Sequence, residues 1–354
     1  MRTRRGMTLV ELVVAAGLLS ILLVALLALM DDFLALWEES EARRAAVEES
    51  SGVVELLAVD LAGLEPGPRG DLLAEWAFFD TDGDGVNETA WPRLRLVRHA
   101  TPREIALAQA ARAEKLPGEG LFEVVWAVLP ARAQASDPDL RSEGVLWRGE
   151  RLVGDPDGLS FFDAGYLSSR GYPTPGTTQD VSRGVLWLGL SFASQTSNLR
   201  DGWTLGSDLG DVWPCWDGWM LGRANTDAHV WNEFGEGLVR PADRPLLPRR
   251  VRIELELERE RDLRRRTRLS KLVEPGDGVL TLDDGSRVPS ERGRHVRVDA
   301  EWMEVLSVSG SQLSVRRGAR GTRPMLHKSG ALVHHGEAVV RELPIALQQE
   351  DWGL

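Results

Sequence analysis

The chain has 354 residues, of which 43% are hydrophobic and 27% are charged, a balance typical of a globular protein with one to three domains and a substantial core. The formal net charge of -12 argues against a general binder of nucleic acids or of anionic membranes. The single cysteine, Cys215, excludes an intramolecular disulfide. It lies between Pro214 and Trp216, and we expect it to be a small buried apolar residue rather than a nucleophile.

The first thirty residues contain the longest apolar run of the chain. Residues 7–30 are almost wholly apolar, and as a helix rising ~1.5 Å per residue they would cross the ~30 Å hydrocarbon core of a bilayer. Three arginines precede the run, which predicts a cytoplasmic N-terminus and a head on the opposite side of the membrane. Glu11 lies inside the run, where a carboxylate costs roughly 2.5–3.5 kcal/mol, so it calls for a functional explanation.

Two simple interpretations explain this run incompletely. A secretory signal peptide would have a shorter apolar run and an A-x-A cleavage site, and a plain signal anchor would not explain Glu11. The string from Arg4 to Leu12 (RRGMTLVEL) resembles the class III signal of type IV pilins and type II secretion pseudopilins. The resemblance implies that a prepilin peptidase cuts after Gly6 and that Met7 becomes N-methylated.

The same resemblance implies how the protein assembles and where it acts. The Glu11 carboxylate would pair with a free N-terminal amine, its own or that of an adjacent subunit, and so set the axial register of a filament. The implied location is the Gram-negative inner membrane, with a single span and the head in the periplasm, followed by transfer into the pseudopilus. The implied partners are the prepilin peptidase, an inner-membrane assembly platform, other minor and major pseudopilins and, in a secretion system, the exported protein.

The apolar run continues into an amphipathic segment. Residues 31–62 contain no proline and place apolar residues three or four apart, which predicts one continuous helix to about Ala62. Gly63 and the segment 65–68 (EPGP) end it. Alternation with a period of two then predicts strands, and Thr101 with Glu104 forms a capping box at the start of a short helix over 101–115. The predicted strands cover 74–79, 94–98, 121–129, 144–148, 185–192 and 251–257.

The order of these elements carries a second resemblance. A long helix, short strands, a long middle, then Leu247-Pro248 and an alternating strand resemble the J-type minor pseudopilin of type II secretion systems. Major pseudopilins are much shorter, so the resemblance implies a minor subunit. The implied fold class is α+β and pilin-like, with the long N-terminal helix packed on an antiparallel sheet.

Residues 272–336 have a different sequence pattern from the rest of the chain and resemble a small β module of phage tail proteins. The resemblance rests on the strand from Glu301 to Val305, the turn from Arg317 to Thr322 and the ending that starts at His327. We expect an inserted all-β domain, followed by a return strand in which Pro344 favours a sheet edge. The expected domains are a leader (1–6), the membrane-spanning and filament-core helix (7–30), its amphipathic half (31–63), the β-rich head (64–271), the inserted module (272–336) and a return strand with tail (337–354).

An acidic loop predicts a structural calcium site. Three aspartates alternate over residues 80–84 and Gly85 follows, as in the first half of a calcium loop. The loop differs from an EF-hand because Trp91 replaces the closing glutamate and strands replace the helices. A solvated acidic turn is the alternative interpretation. The expected ligands are the side chains of Asp80, Asp82, Asp84 and Glu88 and the carbonyl oxygen of Val86.

Tryptophans are concentrated in the loop-rich middle of the chain. A binding surface formed by Trp203, Trp213, Trp216 and Trp219 is one interpretation, and indoles that supply the core of a glycine-rich region are the other. No nucleophile elbow, phosphate loop, dinucleotide fingerprint, zinc-protease motif or CxxC pair occurs, so we expect no enzymatic activity. A type IV pilus minor pilin for adhesion or DNA uptake and a membrane-anchored ligand-binding module remain as alternative functions.

Overall fold

The computed structural model describes most of the chain. The chain divides into two compact units, residues 1–48 and residues 49–354. The described residues are 9–79, 89–110, 120–130, 144–154, 159–163, 178–193, 212–213, 215–219, 221, 223, 242–258 and 266–345.

One helix, α1 (Leu9–Ala62), begins in the first unit and ends in the second, as the apolar run and the amphipathic segment predict together. The amide of Gly63 donates to the carbonyl oxygens of Val59 and Asp60, both at 3.2 Å, and closes its last turn. Within the second unit the helix buries one stripe of side chains, which matches the predicted amphipathic spacing. The stripe includes Val53, Val54, Leu57 and Leu61.

The second unit is mostly β and is built on a large antiparallel sheet, here called the main sheet. Among the described residues it has nine strands. These are β1 (Leu72–Phe79), β2 (Thr89–His99), β3 (Leu121–Pro130), β4 (Gly144–Leu152), β5 (Thr178–Ala193), β6 (Val212–Trp213), β7 (Trp216–Asp217), β8 (Arg250–Leu257) and β14 (Glu337–Pro344). Their order is β14-β8-β5-β4-β3-β2-β1-β7, with β6 paired to β5. Helix α2 (Pro102–Ala110) follows β2.

The predicted strands are all present, and several are longer than predicted. Strand β5 begins at Thr178, before the predicted start at 185, because β4 pairs with its polar first half. The capping box of α2 is confirmed: the Thr101 amide donates to Glu104 Oε2 at 2.6 Å, and the Glu104 amide donates to Thr101 Oγ1 at 3.3 Å.

The main core lies between the last turns of α1 and one face of the main sheet. The buried helix stripe joins one cluster with apolar side chains from β1 to β5 and β8. Strand β8 supplies four residues at alternating positions, as its predicted period of two requires. These are Val251, Ile253, Leu255 and Leu257.

A five-stranded antiparallel sheet, here called the small sheet, follows β8 in the chain. Its order is β13-β10-β11-β12-β9, and it has a separate core. Backbone pairing starts at Arg268 with Leu332, before the predicted boundary at 272, because Leu269 is already a buried member of this core. The strands are β9 (Val279–Thr281), β10 (His295–Val298), β11 (Glu301–Ser309), β12 (Gln312–Ala319) and β13 (Val333–His334).

After the small sheet the chain returns to the main sheet. Strand β14 (Glu337–Pro344) pairs along its whole length with β8 and forms one end of the main-sheet order. Pro344 is tolerated there because an edge strand does not need every backbone N–H for its ladder. The small sheet is therefore inserted between two neighbouring strands of the main sheet.

Candidate functional site

The N-terminal half of α1 presents a continuous apolar surface. Residues Leu12–Met30 are long and apolar enough to cross a membrane, and their described side chains are exposed in the first unit; Ile21, for example, is 69% exposed. A soluble monomer seldom exposes a contiguous apolar surface of this extent. The segment therefore fits a hydrocarbon environment.

Ser20 and Glu11 are the polar residues that matter for placing this segment in a membrane. The Ser20 hydroxyl donates to the Ala16 carbonyl oxygen at 2.9 Å, so it does not require water. Glu11 lies on the helix close to its first described residue, Leu9. The predicted processing residues Gly6 and Met7 lie outside the described residues, and the structure describes the Glu11 backbone but not its side chain.

Residues 1–27 match the family model described as the prokaryotic N-terminal methylation motif. The motif indicates a type IV pilin-like protein. It implies processing by a prepilin peptidase and assembly with other pilins, and together with the apolar helix it fits a single-pass membrane-anchored pilin. No curated protein and no solved structure is significantly similar to the chain.

Within the second unit, a buried ionic cluster ties α1 to the sheet. Asp60 on α1 is 1% exposed and accepts hydrogen bonds from Trp126 Nε1, Arg148 Nε and Arg148 Nη2, all at 2.8 Å. Arg98 Nε lies 2.9 Å from the same carboxylate. One helix carboxylate thus holds groups from β2, β3 and β4.

Further carboxylates balance the two arginines of this cluster. Burial lowers the pKa of Arg148, but the hydrogen bonds and charges of Asp60 and Glu150 outweigh it and leave that pKa raised. The hydrogen bond from Arg98 lowers the pKa of Glu104 to about 2. Arg148 and Glu104 therefore stay charged at neutral pH.

Sequence reasoning missed the role of Asp60. Its position between Leu57 and Leu61, on the apolar stripe of the helix, was the available signal, because a carboxylate on a buried stripe requires a cationic partner. The identity of the partners was not predictable, since Arg98 and Arg148 come from strands far along the chain.

The predicted calcium ligands Asp80, Asp82, Asp84, Val86 and Glu88 lie outside the described residues. The strands on either side of them, β1 and β2, pair with each other from Phe79 opposite Thr89 onwards. Residues 80–88 therefore connect a β-hairpin. Within the part of the chain that the structure describes, no group of three His, Cys, Asp or Glu residues is placed to hold a metal ion.

The tryptophans of the proposed binding surface have different environments. Trp216 is fully buried in the main core, and its indole N–H donates to the Leu246 carbonyl oxygen at 2.8 Å. This excludes Trp216 from the binding-surface interpretation and agrees with the other one, in which indoles supply core packing in a region with few aliphatic residues. Trp219 is half-buried and donates to the Gly70 carbonyl oxygen at 3.0 Å. Trp213 lies in β6 opposite Phe192, and Trp203 lies outside the described residues.

Cys215 is buried, as its sequence context predicts. Burial, together with the charge of Glu75, raises the pKa of its thiol to about 12. The thiolate is therefore negligible at neutral pH, which removes Cys215 as a nucleophile.

The three signature residues of the inserted module meet in one buried cluster. The Glu301 carboxylate is 0% exposed and accepts from Arg317 Nε and Nη2, both at 2.7 Å, and from the Gly318 and Met325 amides. His327 Nε2 lies 2.9 Å from Glu301, and His327 Nδ1 lies 2.7 Å from Asp299. The strand, turn and ending that define the resemblance are thus joined through Glu301.

The charges of this cluster support each other. Burial raises the pKa of Glu301, but hydrogen bonds from Arg317 and His327 outweigh it and bring the pKa to about 2. Burial lowers the pKa of His327, yet its hydrogen bonds to Asp299 and Glu301 leave it raised. A carboxylate faces each ring nitrogen, which favours the imidazolium form of His327, and the cluster stabilises the fold of the small sheet.

Proposed function

We propose that this chain is a minor pseudopilin of a type II secretion system, placed at the tip of the periplasmic pseudopilus to help export folded proteins. The observation that carries the proposal is the N-terminal methylation motif at residues 1–27, which overlaps the apolar segment Leu12–Met30, the one membrane-spanning candidate among the described residues. The proposed location is the Gram-negative inner membrane, with the head in the periplasm before transfer into the filament.

The size of the second unit supports a minor subunit. Its described residues form a nine-stranded and a five-stranded sheet, and the small sheet is inserted at an edge of the main sheet. Repeating so elaborate a head along a shaft would require every copy to accommodate the extra sheet, whereas a tip position does not. The element order that resembles the J-type minor pseudopilin agrees with this position.

The proposed mechanism is assembly rather than catalysis. Cleavage after Gly6 would create a new amine at Met7, and Glu11 would lie near it on the same helix. In hydrocarbon an unpaired carboxylate is costly, so pairing Glu11 with an N-terminal amine favours one axial position of the subunit over others. We propose that the other pseudopilins, and at the tip the exported protein, are the partners.

Blocking the cleavage site is expected to leave the leader on the protein. In the Gly6→Val variant the side chain crowds the peptide bond that the peptidase must reach, so intact-mass analysis of membranes is expected to find the uncut chain. Wild-type protein should begin at N-methylated Met7 and should remain uncut in cells without the peptidase.

Gly17→Ala is the matched control, because an added Cβ at this position meets no atom within 4 Å. It should be processed like the wild type. A mature wild-type chain that begins anywhere but Met7 would contradict the central proposal.

A minor pilin of a type IV pilus is the second candidate, since the methylation motif fits both systems equally. Deleting the gene discriminates between them. Loss of specific proteins from the culture medium with normal surface pili supports secretion. Loss of pili, adhesion or DNA uptake with normal secretion supports the pilus.

We also propose that residues 80–88 bind calcium and stabilise the hairpin of β1 and β2. Carboxylates at alternating positions are the oxygen ligands that calcium prefers, and they would repel each other without a cation. Asp82→Ala is expected to abolish calcium binding by the full-length protein, measured by isothermal titration in detergent. The exposed Asp283→Ala is the control and should bind like the wild type; equal binding by all three proteins would contradict the site.

A further inference from the structure

The small sheet docks on the charged face of β8. Glu254, Glu256 and Glu258 alternate with the apolar residues that face α1, and Glu256 and Glu258 are nevertheless buried. Glu258 lies 2.6 Å from His334 Nδ1 and pairs with Arg266. These two partners come from the segments through which the chain enters and leaves the small sheet.

A second attachment is made by the turn that follows β12, where Arg320 lies. The Arg320 guanidinium carbon is 4.1 Å from the ring centroid of Trp302 on β11 and 4.8 Å from that of Trp187 on β5. Arg320 Nη1 donates to Glu256 Oε2 at 2.7 Å, and Nη2 pairs with Glu254. The guanidinium is therefore held by both sheets at once.

Arg320 has a backbone conformation that disfavours any residue with a side chain, which indicates that its guanidinium is needed at this position. Its φ of 52° lies in the left-handed region, which non-glycine residues seldom adopt. The turn is held by Thr322, whose hydroxyl donates to the Ala319 carbonyl oxygen at 2.7 Å and accepts from the Trp302 amide at 3.0 Å. Glycine would suit this backbone better, so the contacts of the guanidinium compensate for the unfavourable conformation.

We propose that Trp187, Trp302, Glu254 and Glu256 form a guanidinium-binding site, and that Arg320 fills it as a built-in ligand that latches the small sheet to the main sheet. Two indole faces bind a planar delocalised cation, and two carboxylates accept its N–H groups. An ammonium ion offers neither the plane nor the fork of donors, so the site selects guanidinium over it.

The latch has a geometric role that the junction contacts cannot fill. Contacts at Glu258, Arg266 and His334 lie where the chain crosses between the sheets, so by themselves they leave the small sheet able to pivot. Arg297 also faces Trp91, but at 6.0 Å, the outer limit of a cation–π contact. Arg320, together with the apolar cluster of Leu186, Trp187 and Trp302 on which it lies, forms a second point of attachment away from this crossing.

Distance measurements between the two sheets test the latch in the full-length protein in detergent. Spin labels on Arg183→Cys in β5 and Ser309→Cys in β11 report the separation, because both sites are exposed while Cys215 is buried. With Arg320 present we expect one narrow distance distribution. In Arg320→Ala we expect a broader one, and adding millimolar methylguanidinium should narrow it again.

The comparison variants separate the latch from a general loss of stability. Arg323→Ala, an exposed arginine three residues later, should keep the narrow distribution. Arg320→Lys should broaden the distance distribution. Arg320→Gly removes the side chain and also relaxes the backbone, so this variant replaces Arg320→Ala if the alanine variant does not fold. An unchanged narrow distribution in Arg320→Ala or Arg320→Gly would overturn the latch, and rescue by methylammonium as effective as by methylguanidinium would overturn the guanidinium site.

Discussion

Replacing Asp60 with alanine is expected to lower the free energy of unfolding of the second unit by about 3–5 kcal/mol. The substitution leaves Arg98 and Arg148 buried without the carboxylate that binds both, and it removes the acceptor of the Trp126 indole. Denaturant unfolding of the full-length protein in detergent, followed by tryptophan fluorescence, measures the loss.

Glu55→Ala is the matched control for this prediction. Glu55 lies on the same helix and pairs with Arg341, but its side chain is 59% exposed, and exposed ion pairs contribute only about 0–1 kcal/mol. Equal losses in the two variants would show that Asp60 acts like any surface carboxylate on α1.

Replacing Glu301 with alanine is expected to unfold the small sheet or to destabilise it by about 3–5 kcal/mol. The change leaves the buried side chains of Arg317 and His327 without their shared acceptor and also removes the acceptor of the Gly318 and Met325 amides. Amide hydrogen exchange of β10 to β12, compared with that of β2 and β3, assigns the loss to the small sheet.

The control for Glu301 is Glu304→Ala on the same strand, because Glu304 pairs with Arg316, whose side chain is 71% exposed.

The pH dependence of stability gives a second test of Glu301. The pKa of Glu301 is lowered from 4.5 to about 2, so its contribution is complete above pH 4.5 and is lost as the pH falls towards 2. The raised pKa of His327 acts in the opposite sense: its contribution is complete below pH 6.5 and is lost as the pH rises through the folded-state value. The wild-type protein should lose stability as the pH falls from 4.5 towards 2, and Glu301→Ala should lack this loss. Identical dependence of stability on acidic pH in the two proteins would contradict the role of Glu301.

The spacing of apolar residues predicted the helices and strands well wherever residues close in sequence determine the secondary structure. The length of α1, the strands β3 and β8, the capping box at Thr101 and the edge position of the strand with Pro344 follow from spacing, caps and backbone restrictions. The N-terminal motif is likewise a local string, and the match to residues 1–27 is the strongest support for function.

The ionic clusters and the arrangement of the two sheets could not be predicted in this way. The pattern of β8 correctly separates an apolar from a charged face, yet it does not tell that the small sheet buries Glu256 and Glu258. Likewise, Arg320 belongs to the turn from Arg317 to Thr322, but that local pattern does not tell that its side chain reaches the main sheet.

The sequence alone therefore determined that the chain carries a pilin-like N-terminal motif on an apolar helix long enough to cross a membrane, followed by many strands. Only the tertiary structure decided which charges are buried, that Glu301 joins the three motifs of the module, and that Arg320 bridges the sheets. The physical reason is that periodicity records which side of an element faces a core, whereas the cost of burying a charge depends on a partner that the fold brings from a distant part of the chain.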